Sequence, residues 1–269
     1  MSSLPGRYAR DKVNHKNMSG GTMQEQEIAR FEQAKAKIIG KDRQRMGIGT
    51  YSEKTVHAIF KNYYEPDEEK QEIPIDRYIA DIFTGEEIIE IQTRSFDRMR
   101  DKLKAFLPLY PVTIVYPIPR EKYLIWIDEE SGELSKPRKS PRKGSPYLAF
   151  KEFYKIKEYL KDPNLKIKLV LADMEEYRLL NGWSRNKKKG SKRFDRIPGQ
   201  LVEEILIERP EDYMQFIPIA LEEQFTSKDF GKAAHIPLSL AQVTLHLLFF
   251  MGTVKRVGKH GNSYIYEVV

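Results

Sequence analysis

With 269 residues, 40% of them hydrophobic and 11% aromatic, the chain can bury a sizeable core, as two domains or as one large one with appendages. The absence of cysteine excludes a disulfide framework and any thiolate metal site, which fits a reducing cytoplasm. A net charge of +7 and a pI near 9.2 suit an anionic partner, and the opening Met1–Arg7 holds no apolar run of a secretory signal.

Residues 1–21 are polar and basic, with Arg7, Arg10, Lys12 and Lys16, and are expected to form a mobile tail. Thr22 to Ile39 reads as a helix: Ile28, Phe31, Ala34 and Ile38 recur at helical spacing, and Gly40 closes it. Ser52 caps a second helix that reaches Tyr64, with Val56, Ile59, Phe60 and Tyr63 as its apolar face. Glu53, His57 and Lys61 lie four apart and share one row of that helix.

Ile75 to Arg94 reads as a β-hairpin, two β-branched runs around Thr84-Gly85-Glu86-Glu87. Either a two-residue or a four-residue turn there sets Asp81 opposite Glu90, with Gln92 on the same face; a slip of one residue would turn Asp81 to the other face. Like charges opposite each other destabilise a sheet, so this pair needs a reason, and a shared divalent cation is the simplest. Asp76 is a rival, but its cross-strand position is Ser95, away from Glu90.

The order Glu53, Asp81, Glu90-Ile91-Gln92 resembles the restriction-endonuclease-like, or PD-(D/E)XK, nuclease superfamily. In that superfamily a helix with a Glu precedes a strand with the metal Asp, then a strand reading Glu-x-Lys or Glu-x-Gln, then a helix and another strand. Ser95–Leu107 and Pro111–Ile118 would be the last two, so the likeness covers residues 47–119. It implies an α/β fold with a mixed sheet flanked by helices, and hydrolysis of DNA dependent on Mg²⁺ or Mn²⁺. Asp81, Glu90 and the Ile91 carbonyl would hold the ion, Gln92 would position the attacking water, and Glu53 would act through water or on a second ion. Gln92 stands where Lys is usual; Arg94, on the same face, is placed to supply the missing charge. His57 and Lys61 would point toward substrate. The alternative is a nuclease fold without catalysis, serving DNA binding or assembly; RNA processing on the same fold is a third. No Ser/His/Asp triad, P-loop or dinucleotide fingerprint competes.

The helix Ser95–Leu107 carries Arg98, Arg100, Lys102 and Lys104, expected on its solvated side. Val112–Tyr116 has the continuous apolar run of a strand covered on both faces. Tyr123–Asp128 and Gly132–Ser135 read as a further hairpin, Tyr147–Leu160 as a helix and Lys166–Ala172 as a strand, completing a nuclease-like domain over residues 22–183. Two basic blocks interrupt the rest. Lys136–Lys143 offers Arg138, Lys139, Arg142 and Lys143; residues 184–210, read as a flexible linker, offer Lys187, Lys188, Lys189, Lys192 and Arg193. Charge concentrated this way points to nucleic acid more than to solubility.

Residues 211–269 resemble a winged helix-turn-helix domain: helices at Tyr213–Gln224, Lys228–Ala234 and Ser239–Met251, then a wing from Val254–Val257 and Tyr264–Val268. The third helix would expose Ser239, Leu240, Gln242, Val243, His246, Phe249 and Phe250, without Arg or Lys, so it is expected to pack on the nuclease-like domain or on a second subunit. DNA contact is assigned instead to Lys255, Arg256, Lys259 and His260 in the wing. The uncharged stretch Ile236–Val254 contains Pro237, Gln242 and His246, and reads as a buried helix, not a membrane span.

Overall fold

Apolar side chains at alternate positions build one mixed sheet. In the computed structural model, which describes residues 25–45, 54–93, 95–182 and 192–269, its strands are β1 (Gln71–Ile75), β2 (Tyr78–Phe83), β3 (Ile88–Ile91), β4 (Val112–Ile127), β5 (Arg138–Lys139), β6 (Leu165–Leu179) and β7 (Lys192–Ile207). Their order is β1-β2-β3-β4-β6-β7, with β5 on β4. The first three form an antiparallel meander, β3, β4 and β6 are mutually parallel, and β7 returns antiparallel. The tail over residues 1–21, the caps Thr22 and Ser52, and Glu53, Arg94, Lys187, Lys188 and Lys189 lie outside the described residues.

Helices cover both faces. On one, α1 (Glu25–Arg45) and α2 (Lys54–Tyr64) bring Phe31, Ile59, Phe60 and Tyr63 against Ile91, Val115, Val170, Ala172 and Leu201. On the other, α3 (Arg100–Phe106) and α4 (Phe150–Phe153) bring Leu103, Phe106, Phe150 and Phe153 against Ile88, Ile114, Ile167, Leu169 and Ile205. The C-terminal part adds β8 (Gln224–Thr226), α5 (Ser227–Ala233), α6 (Leu238–Met251), β9 (Val254–His260) and β10 (Ser263–Val268), with a small sheet in the order β8-β10-β9. Thr226 and Asp229 cap α5 reciprocally, and Gly252, at φ 86°, ends α6 in the left-handed conformation that favours glycine. Phe225, Phe230, Leu245, Leu247 and Leu248 belong to the same apolar core as the sheet's second face. The uncharged stretch is therefore a helix buried against that face, and no single helix among the described residues is long and apolar enough to cross a membrane.

Several expected elements are redrawn. Residues 192–207 are not a linker: Leu201, Ile205 and Ile207 are buried in β7, and Pro198 and Gly199 sit at a register shift on this edge strand, where a missing N–H and an extra residue are tolerated. β4 runs on through Pro117 and Pro119 to Ile127, and the expected hairpin follows it as a short one: Ile127 bridges to Leu134, the Ser135 N–H donates to the Trp126 carbonyl at 2.8 Å, and the Asp128 N–H donates to that of Glu133 at 3.0 Å. The helix at 147–160 is α4 between two 3₁₀ turns, Pro146–Ala149 and Tyr154–Tyr159. Its large side chains, Tyr147, Phe150, Phe153 and Ile156, recur every third residue, which a three-residue turn aligns on one side. The helix at 213–224 is only a 3₁₀ turn, Pro210–Phe216; Ile217 is extended (ψ 117°) because Pro218 follows it. α1 continues past Gly40 to Arg45.

Phe150 sits at the centre of these layers, with ring centroids 5.0 Å from Phe216, 5.3 Å from Phe153 and 6.3 Å from Tyr213. Phe150→Ala is expected to cost about 3–5 kcal/mol in urea denaturation. A loss below about 1 kcal/mol would show that the C-terminal layer does not close on this ring.

Candidate active site

The β2–β3 turn has the expected register. Ile82 pairs with Ile89 and Phe83 with Ile88, the Thr84 N–H donates to the Glu87 carbonyl at 3.0 Å, and Thr84 Oγ1 accepts from the Glu86 and Glu87 N–H groups. Gly85, at φ 99°, supplies the left-handed turn residue. One step on, Asp81 falls across from Glu90, and there the ladder opens. The Ile91 N–H donates to Asp81 Oδ2 at 2.8 Å instead of to a strand carbonyl, and the Asp81 N–H donates to Glu90 Oε1 at 3.3 Å. On the other side, β1–β2 pairing passes from Gln71–Ile82 to Ile73–Ala80, skipping Glu72 opposite Asp81.

Each acid has its own partner from a different helical layer. Asp81 Oδ2 lies 3.0 Å from His57 Nε2 on α2. Glu90, 0% exposed, accepts from Lys102 Nζ of α3 at 2.9 Å on both oxygens, and the same ammonium donates to the Ile79 carbonyl at 2.7 Å. Burial would raise Asp81, but the His57 hydrogen bond and charge, the Ile91 N–H and Lys102 outweigh it and hold its carboxyl below the ordinary value. Burial and then repulsion from Asp81 push Glu90 up to about 7, against the pull of Lys102. One acid is thus held ionised beside another poised near neutrality, a separation typical of working acid pairs.

These opposite shifts give opposite pH dependences. Glu90 binds its proton more tightly in the folded chain, so its contribution to stability is present below about pH 4.5 and is lost as pH rises to about 7. Denaturation series from pH 5 to 8 are expected to show this decline. Asp81 acts oppositely, losing its contribution only as pH falls through its lowered folded value, below 3.8.

Lys102 was not legible as a site residue. Its sequence neighbours Arg98, Arg100 and Lys104 read as a solvated side, yet its side chain is only 23% exposed and lies beside Leu103 and Phe106 of α3. Gln92 is fixed by its N–H to the Val115 carbonyl at 2.8 Å and by its side-chain amide, which donates to Met99 Sδ at 2.9 Å. The shared-face picture is corrected accordingly: the two carboxylates meet at the opening, but one engages α2 and the other α3. Lys61 is also corrected. It is 8% exposed and paired with Glu72 at 2.7 Å, which removes it from a phosphate-facing row.

The described residues contain no group of three or more His, Cys, Asp or Glu side chains placed to hold a metal ion. Asp81 and Glu90, with the Ile91 carbonyl, are hard oxygen donors of the type that suits a Mg²⁺- or Mn²⁺-like cation, although both Glu90 oxygens already accept from Lys102.

Beyond Val115, β3 ends and the first basic block takes its place on β4. β5 pairs Lys139 with Tyr123 and Arg138 with Leu124, the Ser140 N–H donates to the Lys122 carbonyl, and the Gly144 N–H to that of Arg120. A Cβ on Gly144 would lie 1.9 Å from the Pro119 carbonyl oxygen, so this close approach requires glycine. Arg138, Arg142 and Lys143 are exposed in line with the Glu90–Gln92 strand, and Lys139 pairs with Glu121 at 2.7 Å. Lys192 and Arg193 open β7. In the C-terminal hairpin, Lys255 pairs with Glu267 at 2.7 Å, Arg256 lies 3.9 Å over Tyr264 and 4.4 Å over Phe249, Lys259 is 4.6 Å over Tyr264, and His260 is exposed. α6 does pack on the second face of the sheet domain: His246 Nε2 is 3.1 Å from Lys157 Nζ, and Phe250 lies under Lys157 and Lys161.

An uncharacterized protein of Treponema pallidum (strain Nichols) is 30% identical over 152 residues, which cover 56% of this chain and 60% of that protein, so the chain spans less than two thirds of that relative's length. No solved structure matches the chain. Residues 54–208, from α2 through β7 and including Asp81, Glu90 and Lys102, match the family described as Domain of unknown function (DUF8091), and with more than half of its length inside that match the chain belongs to this family.

Proposed function

We propose that the chain is a metal-dependent nuclease hydrolysing phosphodiester bonds in DNA, on a restriction-endonuclease-like fold carrying a C-terminal winged-helix unit. The observation that carries this reading is the cluster of Asp81, Glu90 and Lys102 where β2 and β3 part. Its setting supports it: α2, β2 with Asp81, β3 with Glu90-Ile91-Gln92, α3 and the parallel β4 follow in the order of the resembled superfamily. For the winged-helix unit the support is α5 and α6, bent 108° apart, followed by the β9–β10 hairpin, though a 3₁₀ turn replaces the first helix.

An ion held by Asp81, Glu90 and the Ile91 carbonyl would polarise the scissile phosphate and acidify a bound water. His57 fixes the Asp81 carboxylate, as partners of metal ligands do. Lys102 is the cation that Gln92 cannot be: its ammonium lies beside Glu90 and can stabilise charge on a phosphate oxygen or on the attacking hydroxide. Gln92 orients water. Arg138, Arg142, Lys143 and the hairpin cations Lys255, Arg256, Lys259 and His260 hold the backbone electrostatically.

One observation favours the non-catalytic reading: Lys102 already neutralises Glu90 through both oxygens, so the site is closed without an ion. Supercoiled, linear and branched DNA and structured RNA, each with Mg²⁺, Mn²⁺ or EDTA, separate the readings. Ion-dependent cleavage of a DNA substrate is expected; DNA binding without cleavage of any of them would leave only the binding protein.

A further inference from the structure

Past Val115, β4, β6 and β7 leave β3 behind and run on together as an arm from the site end of the sheet. On the face covered by α1 and α2, the apolar row Val170, Ala172 and Met174 continues along β6 as Glu176 and then Arg178. Glu176 is 1% exposed. Arg178 donates to its Oε1 from two guanidinium nitrogens, and Arg196 Nε donates to its Oε2 at 3.0 Å. Both arginines remain partly open, with side chains 23% and 26% exposed.

Lys122 on β4 pairs with Met174 in register, one step from Glu176. Its ammonium has no hydrogen bond or ion pair among the described residues, and Glu176 is already taken by the arginines. Burial, and repulsion from Arg196, Arg178 and Arg193, outweigh Glu176 and lower its affinity for its proton. Lys122, Arg178 and Arg196 thus gather three positive charges around one carboxylate, whose oxygens the two arginines already take. The exposed basic segment is joined to it directly, since the Lys122 carbonyl accepts the Ser140 N–H at 2.7 Å.

We propose that Lys122, with Arg178 and Arg196 fixed around Glu176, is a phosphate seat for the backbone of a bound nucleic acid. The nature of that ligand rests on the nuclease reading. From Lys168, opposite Val115, to Met174, opposite Lys122, the strand rise is about 20 Å. That is about six nucleotides of one strand at 3.4 Å each, a span over which one duplex can meet both the arm and the opening between β2 and β3 on its Asp81 side, the side of α2.

The test is equilibrium binding of the full chain to a duplex in EDTA across a salt series, for the parent, Lys122→Met and Lys122→Arg. Arg178 and Arg196 stay in place, so Glu176 keeps its partners, and an unchanged unfolding midpoint checks the fold. Lys122→Met is expected to weaken binding alike for all sequences and to reduce the log–log salt slope by about 0.9, with Lys122→Arg restoring it. An unmoved slope, or a parent that binds no duplex, overturns the seat. So does stabilisation by inorganic phosphate that depends on Lys122 while the duplex slope does not, because the seat would then serve a free anion. A reduced slope in a chain that cleaves nothing keeps the seat and removes the hydrolase; cleavage with an unmoved slope does the reverse.

Discussion

Glu90→Gln is expected to lower ion-dependent DNA cleavage by more than the roughly 10–100-fold that outer partners of metal ligands cost, and yet to raise stability at pH 8. The two effects share one cause. Glu90 is fully buried with a carboxyl pushed up to about 7, so at pH 8 the folded chain carries an anion that the unfolded chain holds at less cost. A neutral amide removes that penalty, on the order of 3 kcal/mol, and flattens the decline in stability between pH 5 and 8. The same change removes the charged oxygen that would hold the proposed ion. Lys102→Met makes the opposite change. It leaves Glu90 buried beside Asp81 without its ammonium, and near pH 8 is expected to cost about 3 kcal/mol, less toward pH 5 where Glu90 takes up a proton. Combining it with Glu90→Gln should recover most of the loss, since the amide has no charge to neutralise. Urea denaturation of the four proteins at pH 5 and 8 measures this; a single mutant Glu90→Gln that is less stable than the parent at pH 8 would contradict it.

A chain ended at Glu208 is expected not to fold. The C-terminal part does not hang on a linker: Tyr213, Phe216, Phe225, Phe230, Leu245, Leu247 and Leu248 are buried in the core that contains Phe150, Phe153 and Leu169. Each large apolar side chain of this kind contributes about 1.5–3 kcal/mol by its burial. Losing seven of them, and wetting the face of Phe150 and Phe153, exceeds the roughly 5–15 kcal/mol margin of an ordinary domain. Near-ultraviolet circular dichroism and gel filtration of the truncated chain should show lost tertiary packing or aggregation. A monomer that unfolds cooperatively would mean the two parts are independent.

What is legible in the sequence is local. The period of two and the Thr84–Glu87 turn chemistry fix which residue faces Asp81, so the acid pair can be read from the residues alone. Their separate partners cannot, because His57 and Lys102 reach them from two helices packed on opposite faces. Lys102 stands among Arg98, Arg100 and Lys104, which the sequence alone does not distinguish from it. β7 is hidden for a related reason: the charges of Lys192, Arg193 and Arg196 dominate its first half, while Leu201, Ile205 and Ile207 show its strand period only in the second. Helical spacing misleads at 147–160 and 213–224, where a three-residue repeat and Pro218 favour tighter turns.

The most direct test is a calorimetric titration of the full chain with Mn²⁺ at pH 8, beside Asp81→Asn and Glu90→Gln. One binding event in the parent, absent from both variants although both remain folded, is the expected result. No heat in the parent, or the same heat in all three, would contradict a hard-cation site between Asp81 and Glu90.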